Sequence, residues 1–351
     1  MNVLMVGVGS KRVGGMWTVS EMYINNEEYN KEVNLEYIPT STNGSKVKRL
    51  IAMLCGYCQI LFCLALRKVD LVHIHMAEKG STFRKGKVAK WGKAANKKVI
   101  IHLHAGPFMS WYLTLSNKKK KKIRKIFSYA DKVFVLGDYW KEELSNLIDK
   151  NKITVVYNGT ECPEKNQYNI RGKNIVYFGV MNREKGIYDL LQAIKNINAE
   201  LDNEIKVLLC GNDLTGNVQD IIDRNGLSER VKMLGWVDKA QRINIFKNAM
   251  IDVLPSYYEG LSMTVIEAMS YGIPVITTNI STMPELLGEE GYMHEPGNIK
   301  ELGKYICKLA SNAEDRIKTS QIEYIRARKY FSVQNFINKT LCEYKILLKE
   351  E

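Results

Sequence analysis

Short β-prone runs alternate with helix-length intervals along almost the whole chain, and no other feature constrains the fold as tightly. In the first half the runs are NVLMVGV (2–8), VNLEYIP (33–39), DLVHIH (70–75), KVIIHLH (98–104), KVFVLG (132–137) and ITVVYN (153–158). In the second half they are NIVYFG (174–179), IKVLLCG (205–211), VKMLG (231–235), MIDVLP (250–255) and IPVITT (273–278). Most are near-continuous apolar runs, as strands covered by helices on both faces require. Alternating β and α elements imply doubly wound parallel sheets, an α/β class. With 351 residues the chain exceeds one ordinary core, so two domains are expected. The polar stretch TECPEKNQYNIRGKN (160–174) reads as the linker, and from about residue 314 the pattern is helical and charged. The expected division is 1–165, 166–330 and a C-terminal helix over 331–351.

Charge narrows the partners. The formal net charge is +13, from 51 Lys and Arg against 38 Asp and Glu, which favours anionic partners. The block KKKKKIRK (118–125) reads first as a solvated helix face and second as a contact for an anionic membrane surface. Nucleic acid comes last, because no binding motif accompanies the block. Seven cysteines without framework spacing point to reduced thiols and a cytoplasmic compartment, with association at the inner face of the plasma membrane as an extension. MNVLMVGVG at the N-terminus reads as a first strand rather than a signal peptide. The apolar run Leu50 to Leu66 reaches only the lower limit for a membrane span and carries Gln59 near its middle. It reads as a helix buried against the sheet, touching lipid at most. Cys55-Gly-Tyr-Cys58 inside it lacks a second Cys pair and a preceding strand, so it reads as core.

The stretch YYEGLSMTVIEAMSYGIPVITT (257–278) carries the chemistry. Glu259 lies in a Gly- and Tyr-rich loop, and Glu267 lies among apolar residues where a carboxylate is costly unless something binds it. On one helix the two acids would be separated by about 80° around the axis, a poor shared face. The better reading ends a strand at Pro255, runs a loop to Leu261 and starts a helix near Ser262 as N-cap. Amides around Gly260, Leu261, Ser262, Met263 and Thr264 then form an anion site. A phosphate cradle flanked by two hydroxyl acceptors suits a nucleotide diphosphate-sugar.

These residues carry a resemblance. Glu259 and Glu267, then Ala268-Met269, Gly272, Pro274-Val275 and Pro284-Glu285-Leu286, resemble the signature of the retaining GT-B glycosyltransferases of glycosyltransferase family 4. YFGVMNREKGIYDLLQAI (177–194), Asn158-Gly159, Gly211, VKMLGWV, EPGN, Gly14-Gly15 and HLHAG continue it. The resemblance implies two Rossmann-like domains facing a cleft, the C-terminal one binding donor and the N-terminal one acceptor, with the last helix crossing back. It implies that Glu267 accepts from the ribose hydroxyls and that Glu259 faces the donor sugar. Leu261 to Thr264 would hold the diphosphate and sugar hydroxyls, and Lys185 would neutralise charge on the leaving group. Gly15 is implied at the donor and Gly14 at the acceptor, as sites of close backbone approach. The family usually has Arg directly after the strand's Gly. Val180 stands there, so either Arg183 supplies the guanidinium or Lys185 acts alone.

His73-x-His75 and His102-x-His104 end two neighbouring strands, where ligand sites of such sheets gather. Each pair could place two imidazoles on one face as in a zinc site, but no nearby Cys or clear third ligand accompanies them, so no metal is expected. By resemblance His104 contacts the donor sugar, and His75 and Gly106 line the acceptor side, with GPFMSWYLTLS (106–116) as the acceptor loop. The implied activity is metal-independent hexosyl transfer from a nucleotide sugar, UDP first and GDP next, with no cofactor. The acceptor would be a glycan or lipid-linked saccharide of capsule or O-antigen type polysaccharide. The rivals are a GT-B-fold sugar-nucleotide epimerase and a non-catalytic sugar-nucleotide or polyanion-binding protein. A Rossmann dehydrogenase is disfavoured, since GVGSKRVGG lacks G-x-G-x-x-G spacing.

Overall fold

A computed structural model describes residues 1–9, 15–104 and 106–349. The chain forms two compact units, one of Met1–Gly159 with Val333–Glu351 and the other of Thr160–Ser332. Residues 160–165, assigned from sequence to the first domain, group with the second unit.

Unit 1 holds the strands β1 (Asn2–Gly7), β2 (Asn34–Pro39), β3 (Leu71–Met76), β4 (Lys98–Leu103), β5 (Lys132–Val135) and β6 (Ile153–Val155). They pair in parallel in the order β2-β1-β3-β4-β5-β6. Every residue of β3 is buried, as its unbroken apolar run requires. One face of this sheet is covered by the helix Val333–Lys349. Its Phe336, Ile337, Leu341, Tyr344 and Leu347 join Val3, Met5, Tyr23, Tyr29, Ile100 and Phe134 in one core.

Unit 2 holds β7 (Asn174–Phe178), β8 (Lys206–Cys210), β9 (Val231–Gly235), β10 (Ala249–Leu254), β11 (Val275–Thr278) and β12 (Tyr292–His294). The order is β12-β11-β10-β7-β8-β9, again all parallel. Three-residue β12 has no counterpart in the sequence reading, because so short a run shows no period. Strand order changes direction between β1 and β3 in unit 1 and between β7 and β10 in unit 2. At such points the loops leaving the two strands part and open a crevice at their carboxyl ends.

The helix Lys46–Leu66 corrects the expectation of a buried apolar helix. Only Gly56, Tyr57, Ile60 and Cys63 are buried; Leu50, Ile51, Leu54, Leu61, Phe62 and Leu66 are exposed, Leu66 by 72%. The helix docks through the narrow side that carries these four residues, and a Cβ at Gly56 would sit 2.7 Å from the Pro39 carbonyl oxygen. A sequence apolar on all sides can pack by any face, and here the close approach at Gly56 selects one. By length and composition this helix could cross a membrane.

Candidate functional site

In unit 2 the switch point is built by the loops after β7 and β10. After β7 the chain makes a 3-10 turn, Arg183–Lys185, with the Asn182 side chain accepting from the Lys185 amide at 2.9 Å. Gly186 follows at φ +70°, where a Cβ would lie 1.9 Å from the Pro255 carbonyl oxygen. Only glycine lets the two loops press together so closely. The contact brings Lys185 Nζ to 2.5 Å from Glu259 Oε1, although 74 residues separate them. Ser256 Oγ donates to the same carboxylate oxygen at 2.9 Å, and Glu259 is only 7% exposed. Hydroxyls from the next segment fix the loop's backbone: Ser281 donates to the Glu259 carbonyl at 2.8 Å and Thr282 to that of Gly260 at 3.0 Å. The acid is therefore held in one position before any ligand arrives. Arg183 is exposed on the same turn, and the Val180 carbonyl accepts from Tyr177 Oη at 2.8 Å.

The helix Met263–Ser270 starts as expected, with Ser262 as N-cap at φ −79°, ψ 107°. Its hydroxyl makes no capping bond and pairs instead with Thr264 Oγ1 at 3.1 Å. The first amides of the helix have no intrahelical acceptor, so this terminus keeps its capacity for an anion. Leu261 and Ser262 are buried; Gly260, Met263 and Thr264 are half-buried.

Glu267, one turn into the helix, contacts the guanidinium of Arg242. Sequence reasoning missed Arg242. It lies on Lys239–Phe246, a helix opened by a capping box of Asp238 and Gln241, and nothing in that segment marks a site. Its guanidinium also stands 5.4 Å from the centre of the Phe178 ring. Behind the site Asp252 and Glu323 are both buried. Burial pushes the Asp252 carboxyl up to about 8, against the pull of Arg242, and raises that of Glu323 as well.

In unit 1 the strand period and the register decide where the histidines go. His73 and His75 share one face of β3, and His75 pairs with His102 across to β4. The rings stack, His73 on His75 at 4.7 Å and 20°, His75 on His102 at 5.3 Å and 30°. His75 Nδ1 and His104 Nε2 are 2.7 Å apart, and His73 Nε2 and His102 Nδ1 are 3.3 Å apart. His73 Nδ1 meets the Tyr344 hydroxyl of the C-terminal helix. Burial pushes the His102 imidazole down to about 3 and lowers His73, His75 and His104 too, so all four are neutral at neutral pH. Ligand nitrogens of His73, His75 and His102 lie within 4.8 Å of one another. The three ring planes lie within 20–30° of one another. Gly15 opens the helix Gly15–Asn25 with nothing within 4 Å of a Cβ position, and Gly106 is buried in the turn before Phe108–Leu113. Gly14 lies outside the described residues.

The structure thus brings Lys185 to Glu259 and His75 to His104, and adds Arg242 to Glu267. Comparison with known proteins gives the family. Residues 160–326 match the family model "Glycosyl transferases group 1" and residues 25–162 match "Glycosyltransferase Family 4". The O-antigen chain mannosyltransferase B of Escherichia coli is 26% identical over 243 residues, covering 67% of this chain and 60% of that protein. The chain thus spans less than two thirds of that relative's length. An uncharacterised glycosyltransferase of Methanocaldococcus jannaschii is 30% identical over 258 residues, 71% of this chain and 67% of the relative. The capsular polysaccharide biosynthesis glycosyltransferase CapM of Staphylococcus aureus is 29% identical over 240 residues, 63% of each. Among solved structures, sucrose-phosphate synthase from Thermosynechococcus elongatus superposes with a TM-score of 0.79 at 16% identity over 100% of both chains. Anabaena HepE in complex with UDP superposes at 0.75 and 17% identity, over 98% of this chain and 99% of that one. The two parallel sheets and these neighbours give the GT-B fold. With the two family models together matching residues 25–326 and a 30% identical relative covered over 67% of its length, the chain belongs to the glycosyl transferases group 1, glycosyltransferase family 4.

Proposed function

We propose that the chain transfers a hexosyl group from a nucleotide diphosphate-sugar, UDP first and GDP second, to a glycan or lipid-linked acceptor, with retention of anomeric configuration. The observation that carries this is the Lys185–Glu259 pair, held rigidly beside the uncapped start of Met263–Ser270 at the switch point of unit 2. The diphosphate binds at the amides of Leu261 to Thr264. Lys185 neutralises the charge that grows on the leaving phosphate as the C1–O bond breaks, a task that in other enzymes falls to a divalent cation, and this supports a metal-independent reaction. As the acceptor oxygen bonds to C1, its proton passes to the departing phosphate on the same face. Glu259 orients the sugar and stabilises positive charge at the anomeric carbon. Glu267 accepts from the ribose hydroxyls, with Arg242 setting its position. The neutral ring of His104 serves a sugar hydroxyl.

The Escherichia coli and Staphylococcus aureus relatives favour a place in O-antigen or capsule type polysaccharide synthesis. The basic helix Asn117–Ser128 and the exposed apolar helix Lys46–Leu66 favour peripheral contact with an anionic membrane from the cytoplasmic side. Flotation with vesicles containing anionic lipid checks this: the protein rises with them at low salt and is released at high salt. Protein that stays at the bottom in low salt excludes the contact.

A thermal-shift screen of UDP, GDP and their sugars tests the donor site. A ligand at about 100 times its dissociation constant adds about 2.7 kcal/mol to stability. The expected result is a shift with one base, abolished in Glu267→Ala. A folded protein that responds to no nucleotide refutes the reading.

A further inference from the structure

His75 is fully buried, so its ring meets no ligand and can act only through a neighbour. That neighbour is His104, half-buried directly after β4, whose Nε2 lies 2.7 Å from His75 Nδ1. Burial holds both imidazoles well below their ordinary range, so at neutral pH each ring carries one proton on one of its two nitrogens. Between two neutral rings one nitrogen donates and the other accepts. Which does which decides what His104 can offer a substrate.

The unpaired atoms point one way. His75 Nε2 is buried and has no hydrogen-bond partner among the described residues. In protein interiors an N–H left without an acceptor is the rarer orphan. The His75 proton therefore belongs on Nδ1, where an acceptor stands, and Nε2 keeps a lone pair. His104 Nε2 then accepts, which leaves the His104 proton on Nδ1. The neighbouring pair gives the same answer from its own contacts. His102 Nε2 is also buried and unpaired among the described residues, so His102 Nδ1 donates to His73 Nε2 at 3.3 Å. His73 in turn donates from Nδ1 to the Tyr344 hydroxyl, whose own proton has an acceptor in Tyr29 Oη at 3.4 Å. All four rings thus hold the proton on Nδ1, the tautomer that histidine disfavours in water.

We propose that His75 is a positioning residue: it donates its Nδ1–H to His104 Nε2 and so fixes His104 as a hydrogen-bond donor, through Nδ1, to an oxygen of the transferred sugar. The inference rests on the reading above that His104 serves the sugar, and it adds the direction of the bond. Among the described residues His104 Nδ1 makes no hydrogen bond, so its proton is available. A donor sugar with hydrogen in place of that oxygen leaves the N–H unpaired and is rejected.

NMR of the imidazole nitrogens in the histidine-labelled full chain at neutral pH reads each tautomer directly. The His75 and His104 signals are identified by their loss in His75→Asn and His104→Ala. The expected spectrum has a protonated Nδ1 and a bare Nε2 on His104. A protonated Nε2 on His104 in the folded wild type overturns the proposal, whatever the activity. The second arm follows transfer from the UDP- or GDP-sugar that the thermal-shift screen selects. Phe keeps a ring without a donor, whereas Asn places an amide N–H near the position of Nδ1. His75→Phe is expected to lower kcat by about 10-fold or more with binding of the free nucleotide unchanged, and His75→Asn to restore most of the rate. In a His104→Ala background His75→Phe should cost no further activity. Wild-type kcat in His75→Phe, or an undiminished loss when His104 is already Ala, overturns the positioning role. If His75→Phe fails to fold, the wild-type spectrum and the rate of His75→Asn decide: a protonated Nδ1 with near wild-type kcat supports the proposal, and either one missing overturns it. A fully active His104→Ala instead sinks the reading that His104 serves the sugar, while the spectrum still reports the tautomer.

Discussion

Lys185→Met is expected to lower the rate of sugar transfer by about 10²- to 10³-fold, the scale for removing one preorganised charge from a developing oxyanion. The same substitution has a separable effect on stability. Glu259 is buried, and without Lys185 its carboxylate keeps, among the described residues, only the Ser256 hydroxyl. Stranding it costs about 1–3 kcal/mol, read as a lower melting temperature of unit 2. Adding Glu259→Gln removes the stranded charge, so the double variant should regain much of that stability and none of the turnover. A double variant that stays as unstable as Lys185→Met, or a single variant with full activity, means that the pair only pins two loops together.

The second large effect is of pH, and its sign differs between the two units. In unit 1, His73, His75 and His102 are fully buried with imidazoles held below their ordinary range, His102 near about 3. The unfolded chain takes up protons below about pH 6.5 that the folded unit refuses. Stability is therefore intact above that pH and falls as pH drops, by about 1.4 kcal/mol per unit for each histidine. In unit 2 the shift is the other way. Asp252 titrates near about 8 when folded, and Glu323 is raised too. Their contribution is complete below about pH 4, where the unfolded carboxylates are also protonated, and is lost as pH climbs towards 8. Buried His294, lowered by burial, opposes them as a single group. Calorimetry from pH 5 to 8.5, with transitions assigned by hydrogen exchange, should show unit 1 melting first in acid and unit 2 first in base. Asp252→Asn should flatten the alkaline loss. Parallel pH dependence of both units excludes this account.

The architecture was legible because most buried parallel strands write themselves as apolar runs, and eleven of the twelve described strands coincide with a β-prone run. The turn from β10 through Glu259 to the helix at Met263 was legible as well, from Pro255, Gly260 and Ser262. What could not be read was pairing at a distance. No local pattern connects Lys185 to Glu259 or Arg242 to Glu267, because sheet order brings their elements together, helped for the first pair by the glycine contact at Pro255. Nor could the run from Leu50 to Leu66 reveal which way it faces. Apolar residues on all sides leave no period, and the decision falls to Gly56 against the Pro39 carbonyl.

The helix Val333–Lys349 fills the core of unit 1, where Tyr23 Oη and Thr340 Oγ1 lie 2.9 Å apart and Tyr344 reaches His73. Synthesis runs from the N-terminus at about 5–20 residues per second. The ribosome therefore finishes the first 159 residues well before this helix exists, and all of Thr160–Ser332 emerges in between. For that interval the nascent first sheet carries an uncovered face of Val3, Met5, Ile100 and Phe134. Such a face is what holding chaperones bind. The second unit, contiguous in sequence, can complete its own core while the first is still waiting.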